Sequence, residues 1–426
     1  MFPDPVHPYL LAADDVARRV VPSPLPVCNS DDVATCVRDN YRAPLERLYR
    51  RPLSEAELSA LTDMVPRLEQ SAVPALEATR ALLSAALLSP DFLFRSSLAG
   101  ADDVADARRL VETLSYALWD APPDVELATA AEGSAEALGE RLRAQAARLS
   151  GDSRAVPVLT RFVAQWLHVD TDLRLVDPAY ATSPRFQEFV AFVEDGLAND
   201  VPVRTLLTSE RGFVHSDNVA AYGLADLPGT AGSGVSAVSW PSDSPRRGVL
   251  GQDLIADSTR HPDDSRRAIF RGLLVRRSLL CDVIPAPTAA LVALAGEVGD
   301  RTVDARCAAC HQRIDPIGRA FAVLDADSVA APAPPEVIHH PELAGSYPDI
   351  PALLTAVAGS RAFAECFARH WLAFFLEAPL AEADATWVAA LADSIESGVS
   401  LRGLVEQSIV SLKTRSETAT PWCEGS

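Results

Sequence analysis

The segment Cys307-Ala308-Ala309-Cys310-His311 decides how this chain is interpreted. Two thiols three positions apart lie one helical turn from each other, and this spacing lets them reach the two vinyl groups of one porphyrin. The adjoining imidazole then lies beneath the iron, where it is placed to act as an axial ligand. Random order of this composition would produce the pattern roughly 0.002 times per chain. The motif therefore predicts one covalent haem c, held by Cys307, Cys310 and His311.

Two other interpretations of the motif stay open. The two thiols and the imidazole could form part of a zinc site, although the chain has no second C-x-x-C pair to complete it. The thiols could instead form a redox-active disulfide, although the flanking residues lack the pattern of a strand that leads into a thioredoxin-like helix. Under either interpretation the segment binds no haem.

The other cysteines indicate an oxidising compartment. Cys28 and Cys36 flank a short polar loop and are candidates for a local disulfide. Cys281 and Cys366 lie on opposite sides of the motif and could either link the two segments or remain free thiols in the core. Cys423 is left over near the C-terminus.

Charge and hydropathy argue against binding of nucleic acid and against a transmembrane segment. The chain has 58 acidic and 38 basic residues and a net charge of −20, so it repels phosphate backbones and is not expected to bind nucleic acid. No stretch of 18 uncharged apolar residues occurs, and no transmembrane segment is expected.

The first 19 residues do not form a signal peptide. Together with the cysteines, this predicts a periplasmic, extracellular or cell-surface protein whose leader is absent from this sequence.

Helical patterning dominates the chain. Ser54 and Glu57 form a capping box before a run of apolar residues with helical spacing. Further helices are predicted at 106–119, 136–149, 158–168 and 186–197, and no sustained alternation typical of a sheet is found. The pattern predicts an all-α fold of several packed helical modules, with a small haem c-binding module toward the C-terminal half.

Composition divides the chain into modules and linkers. A Gly/Ser/Pro-rich linker is predicted at 226–247 and a Pro/Ala-rich linker at 329–349. The remaining division gives helical modules at 1–95, 96–225 and 350–415, a haem module at 248–328, and a tail at 416–426.

Short motifs in a fixed order carry a resemblance to a known family. They are Arg50-Arg51-Pro52-Leu53-Ser54, Leu88 to Arg95, Leu114 to Trp119, Asn218 to Gly223, Arg246 to Leu250, Arg271-Gly272, Leu280-Cys281 and Asp315-Pro316-Ile317-Gly318. In this order, from about residue 28 to 415, the chain resembles the multidomain cytochrome c-like proteins of planctomycetes and myxobacteria, which consist of consecutive domains of unknown function. The resemblance implies an exported haem protein without a known substrate. One departure is Ala322, where the family usually has Glu.

The sixth iron ligand would decide the function. Methionine there suits electron transfer, but the chain has only Met1 and Met64. A second histidine would give a bis-histidine electron carrier. His261 and His370 are the preferred candidates, and the others are His168, His215, His339 and His340. An open sixth position would permit peroxide or oxygen chemistry.

Three functions are therefore carried forward. The first is an exported mono-haem c-type protein that acts in electron transfer or as a redox partner of another protein. The second is a peroxidase-like haem c oxidoreductase with a small-molecule substrate. The third is a non-redox structural module with a metal or a dithiol at the C-x-x-C-H motif.

Overall fold

A computed structural model describes residues 7–93, 103–134, 136–169, 182–222, 224, 233–259, 264–294, 298–324, 335–380 and 384–418. Most of these residues are helical, and the strands among them form two small antiparallel sheets. The expected all-α class is confirmed. His261 and Cys423 lie outside the described residues.

The helices of the first half are α1 His7–Val20, α2 Val33–Cys36, α3 Arg42–Tyr49, α4 Glu55–Thr62, α5 Met64–Gln70, α6 Ala75–Leu87, α7 Pro90–Leu93, α8 Asp103–Trp119, α9 Val125–Thr129, α10 Leu138–Ser150, α11 Ala155–Trp166, α12 Pro184–Ala198 and α13 Thr205–Thr208. Those of the second half are α14 Asp253–Ser258, α15 Asp264–Leu274, α16 Ala289–Leu294, α17 Ala308–Ala320, α18 Ile350–Gly359, α19 Arg361–Leu376, α20 Ala385–Glu396 and α21 Leu401–Thr418. Short π-helical segments lie at Val37–Tyr41 and Val275–Leu279, and short 3-10 segments at Ser216–Asn218, Val249–Gly251 and Phe321–Leu324.

The two small sheets lie partly in segments whose composition resembles linkers. Strands β1 Arg211–His215 and β2 Val235–Ser239 pair in one sheet, and β3 Val337–Ile338 and β4 Gly345–Ser346 pair in the other. The sequence does not predict these strands, because each has only two to five residues. An alternating pattern cannot be recognised in so short a segment. The predicted domain boundaries themselves stay a prediction.

The chain divides into two compact units. The first unit comprises residues 1–116, 121–138 and 415–426. One core cluster of this unit consists of apolar side chains from α1 to α6 and the segments between them. The disulfide Cys28–Cys36 joins the segment before α2 to the last residue of that helix. The backbone N–H of the buried Cys28 donates to Thr79 Oγ1 on α6 at 3.0 Å, which fixes this loop against the helix.

Two of the short sequence motifs meet within this first unit. The Arg51 guanidinium donates to both carboxylate oxygens of Glu57, at 2.6 and 3.0 Å, and to Asp91 Oδ1 at 3.0 Å. The predicted capping box is present, since Ser54 N donates to Glu57 Oε2 at 2.8 Å and Glu57 N donates to Ser54 Oγ at 3.3 Å. The hydrogen bond from Arg51 lowers the pKa of Glu57 to about 2. The arginine-rich motif therefore stabilises the start of α4 and the start of α7 together.

The second unit comprises residues 117–120 and 139–414. Aromatic side chains of α19 pack against those of α11 in its interior. Phe162 contacts Phe367 and Trp371 edge to face, with ring centroids 5.5 and 5.1 Å apart. Trp166 contacts Phe367 in the same geometry at 4.9 Å, which adds to the stabilisation that burial of these rings provides.

Helices α18 and α19 follow each other closely in this unit and are both rich in apolar residues. Together they have the length and hydropathy of a membrane span, but they are bent by 71° where they join. Among the described residues, no single helix is long and apolar enough to cross a membrane.

Helices α15 and α17 cross at unusually short range because each presents a glycine to the other's backbone. A Cβ atom at Gly318 would overlap the carbonyl oxygen of Ala268, and a Cβ atom at Gly272 would overlap that of Ile314. The pairing of 268 with 318 and of 272 with 314 runs antiparallel along the two helices. Any side chain larger than hydrogen at either glycine would force the helices apart.

We expect Gly318→Ala and Gly272→Ala each to lower the free energy of unfolding by about 1–3 kcal/mol, because overpacking of a tight contact costs this much. Gly359→Ala is the matched control, since a Cβ atom at this residue of α18 meets nothing within 4 Å. Urea denaturation would measure all three variants. Equal stability of Gly318→Ala and Gly359→Ala would contradict the close backbone contact between α15 and α17.

Candidate functional site

The C-x-x-C-H motif forms the first turn of α17. Cys307 is the residue that caps this helix, and its carbonyl oxygen accepts from the backbone N–H groups of Cys310 and His311 at 3.2 and 3.1 Å. Upstream, the carbonyl of Asp304 accepts from Cys307 N at 2.9 Å, which fixes the entry into the helix. The two thiols are therefore one helical turn apart, as the sequence predicts.

Cys307 and Cys310 are free and partly exposed, whereas the other two cysteine pairs of the described chain are bonded. The structure joins Cys28 to Cys36 and Cys281 to Cys366, so the second pair consists of bonded sulfurs and not of free core thiols. The motif thiols thus remain available for another covalent bond or for a metal.

The orientation of His311 is set by a carboxylate one turn further along α17. His311 Nδ1 lies 2.9 Å from Asp315 Oδ1, and Asp315 is buried. Because an ionised carboxylate only accepts hydrogen bonds, the ring proton is assigned to Nδ1. Nε2 then presents its lone pair, and it makes no hydrogen bond to any described residue. An imidazole held in this way is suited to metal ligation.

Charges of alternating sign continue from Asp315 along the helix. Arg319 Nη1 lies 3.7 Å from Asp315 Oδ2, and its guanidinium also donates to both carboxylate oxygens of Glu336. The Glu336 carboxylate raises the pKa of Arg319. A row of charged contacts therefore runs from the motif to the residue before strand β3. Its members are His311, Asp315, Arg319 and Glu336.

Two buried arginines fasten α17 through its backbone. Arg276, in the π-helical segment after α15, is fully buried and donates from Nε to the carbonyl of Arg313 at 2.8 Å. Its other nitrogens donate to Asp282 Oδ2 and to the His339 carbonyl, each at 2.8 Å. Arg271 Nη1 donates to the Phe321 carbonyl at 3.0 Å, where α17 ends. Burial lowers the pKa of Arg276, and these bonds compensate part of that desolvation.

A cavity of about 150 Å³ borders the C-terminal half of α17. It is lined by Pro316, Arg319, Glu336, Tyr347 and neighbouring residues. Ligand pockets have volumes of roughly 300–1,000 Å³. This cavity is smaller, and we assign no ligand to it.

His370 lies beside a disulfide. It follows Cys366 by one turn of α19, and its ligating atom and the sulfurs of Cys281 and Cys366 all lie within 4.8 Å of one another. Burial lowers the pKa of His370, as does the positive field of His168, while a hydrogen bond with the backbone of Arg277 acts in the opposite direction. The ring is therefore held neutral next to the covalent link between α19 and the segment after α15.

Two other candidate histidines, His340 and His215, make local hydrogen bonds to the backbone. His340 Nδ1 accepts from Glu342 N at 3.2 Å, and burial lowers its pKa. His215 Nδ1 accepts from Asp217 N at 3.1 Å at the start of a 3-10 segment.

A buried carboxylate on α12, Glu188, has no local sequence signal that predicts it. Glu188 is 2% exposed and accepts from Tyr222 OH at 2.6 Å, Asn218 Nδ2 at 2.8 Å and the backbone N–H of His215 at 2.7 Å. Burial raises the pKa of Glu188. Asn218 and Tyr222 belong to a motif identified in the sequence, but their partner lies some 30 residues earlier, with no local pattern to mark it. These bonds fasten β1 and the following turn to α12.

Comparison with known proteins gives three consecutive matches. Residues 36–96 match the family described as PSD5, protein of unknown function (DUF1595). Residues 106–224 match PSD4, protein of unknown function (DUF1592), and residues 246–328 match PSCyt3, protein of unknown function (DUF1588). Segments of the chain thus match these three families in succession, and the resemblance drawn from its motifs is confirmed to that extent. No curated protein and no solved structure matches the chain.

The pKa of His370 generates a prediction for acid stability. Its folded pKa lies below its ordinary value of 6.5, so the unfolded chain takes up a proton at a pH where the folded chain does not. The stability that neutral His370 contributes is therefore present above pH 6.5 and is lost as the pH falls through the lowered folded value. Between pH 7.5 and 5.5, His370→Leu should lose less of its free energy of unfolding than the wild type, as measured by urea denaturation. If the free energy of unfolding changed equally with pH in both proteins, this would contradict the lowered pKa of His370.

Proposed function

We propose that this protein is an exported mono-haem c-type protein that transfers electrons to or from a redox partner. Cys307 and Cys310 would bind the haem covalently, and His311 would be its axial ligand through Nε2. The observation that carries the proposal is the hydrogen bond between His311 Nδ1 and Asp315 in the turn that also presents two free thiols.

Attachment requires only the two thiols and the vinyl groups of the porphyrin. Each Cys S–H would add across one vinyl C=C bond, so that an S–C bond would form at the carbon next to the ring and the proton would go to the terminal carbon. No group leaves, and no net oxidation occurs. The bound haem would supply a one-electron couple between Fe(III) and Fe(II).

The pairing of the cysteines supports this proposal. Two disulfides at Cys28–Cys36 and Cys281–Cys366 suit an oxidising compartment outside the cytoplasm. Cys307 and Cys310 are not bonded to each other, and thioether attachment of a haem requires two such free thiols.

The family matches support the proposal at a coarser level. The match described as PSCyt3 spans residues 246–328, which include the motif, α15 with Gly272, and the buried Arg271 and Arg276. The residues that fix α17 therefore lie in the same domain as the motif itself. This is the arrangement expected if the domain exists to hold one haem.

Replacement of the motif thiols tests the proposal. In protein exported through a cytochrome c maturation system, wild type should retain haem after denaturation and acid extraction, with a c-type α-band in pyridine. Cys307→Ala/Cys310→Ala should retain none, because it has no thiol to form a thioether. Cys28→Ala/Cys36→Ala is the matched control: it also removes two cysteines, and it should keep the covalent haem.

Two outcomes would contradict the proposal. Covalent haem in the Cys307→Ala/Cys310→Ala variant would move the attachment site elsewhere. Folded, exported wild type without haem would favour the metal or dithiol interpretation of the motif.

A further inference from the structure

We propose that Asp315 is a positioning residue that makes His311 a strong, electron-rich iron ligand and so gives the centre a low reduction potential. The inference rests on the proposed function, since it concerns the iron that His311 would bind. It goes beyond that function by assigning a direction to the electron transfer.

The geometry singles out this carboxylate among the acidic residues of the module. Asp315 is buried, its Oδ1 lies 2.9 Å from His311 Nδ1, and it follows His311 by four residues on α17. The helix itself therefore imposes the contact. By contrast, Asp304 near the motif directs its carboxylate to the side chain and backbone of Arg306.

A hydrogen bond to a carboxylate changes the donor strength of an imidazole. The carboxylate attracts the Nδ1 proton, which places more electron density on the ring and makes Nε2 a more basic ligand. A more basic ligand stabilises Fe(III) more than Fe(II), because the ferric ion carries the larger charge. The one-electron reduction of Fe(III) to Fe(II) then becomes less favourable, and the potential falls.

The line of charges beyond Asp315 keeps the carboxylate in place. Arg319 attracts its second oxygen from 3.7 Å, and Glu336 in turn holds the Arg319 guanidinium. Because Glu336 neutralises Arg319, the net charge next to His311 remains negative. A centre of this kind gives up its electron readily, so the partner that it fits is an electron acceptor of higher potential.

The first test compares Asp315→Asn with Asp304→Asn in the haem-loaded protein. Both variants remove one negative charge from the same module, but only the first weakens the bond to His311. Redox titration should show a more positive potential for Asp315→Asn than for wild type, with little change for Asp304→Asn. If Asp315 only stabilises the helix, thermal stability falls while the potential stays unchanged, and the inference is overturned.

A second measurement separates failure of the inference from failure of the proposed function. In the chain produced without haem, ¹⁵N-labelled histidines report the tautomer of His311 by NMR. Wild type should have the proton on Nδ1, and Asp315→Ala should shift it toward Nε2. A wild-type Nε2–H tautomer overturns the inference even if haem is never attached. Absence of covalent haem together with an Nδ1–H tautomer overturns the proposed function, and of the inference it leaves only the hydrogen bond that orients His311.

Discussion

The close crossing of α15 and α17 is the constraint on which the site depends. Gly272 and Gly318 let each helix contact the other's backbone at Ile314 and Ala268. Arg276 can then reach the Arg313 carbonyl, and Arg271 the carbonyl at the end of the helix. The turn that carries Cys310 and His311 is thus fixed from one side by sterics and hydrogen bonds, before any group binds to it.

Local sequence signals predict the helices and the motif well, because both depend on residues within one or two turns. The capping box at Ser54 and the spacing of Cys307, Cys310 and His311 are of this kind. Asp315 is also within reach of sequence reasoning, since a residue four positions after His311 lies on the same helix face.

Other parts of the site could not be predicted, because their partners are distant in sequence. Nothing near Arg276 indicates that it is buried against carbonyls 37 and 63 residues away. The bonds of Glu188 to Asn218 and Tyr222 are likewise set by packing of α12 on β1. The position of His370 beside the Cys281–Cys366 disulfide is likewise set by packing, and its candidacy as an iron ligand stays a prediction.

The most direct test of the central claim is to locate the haem on the polypeptide. Tandem mass spectrometry of proteolytic fragments from exported, alkylated protein would identify the modified cysteines. The account predicts one fragment in which both Cys307 and Cys310 carry the same haem and resist alkylation. Alkylation of both thiols in folded, haem-containing protein would contradict it.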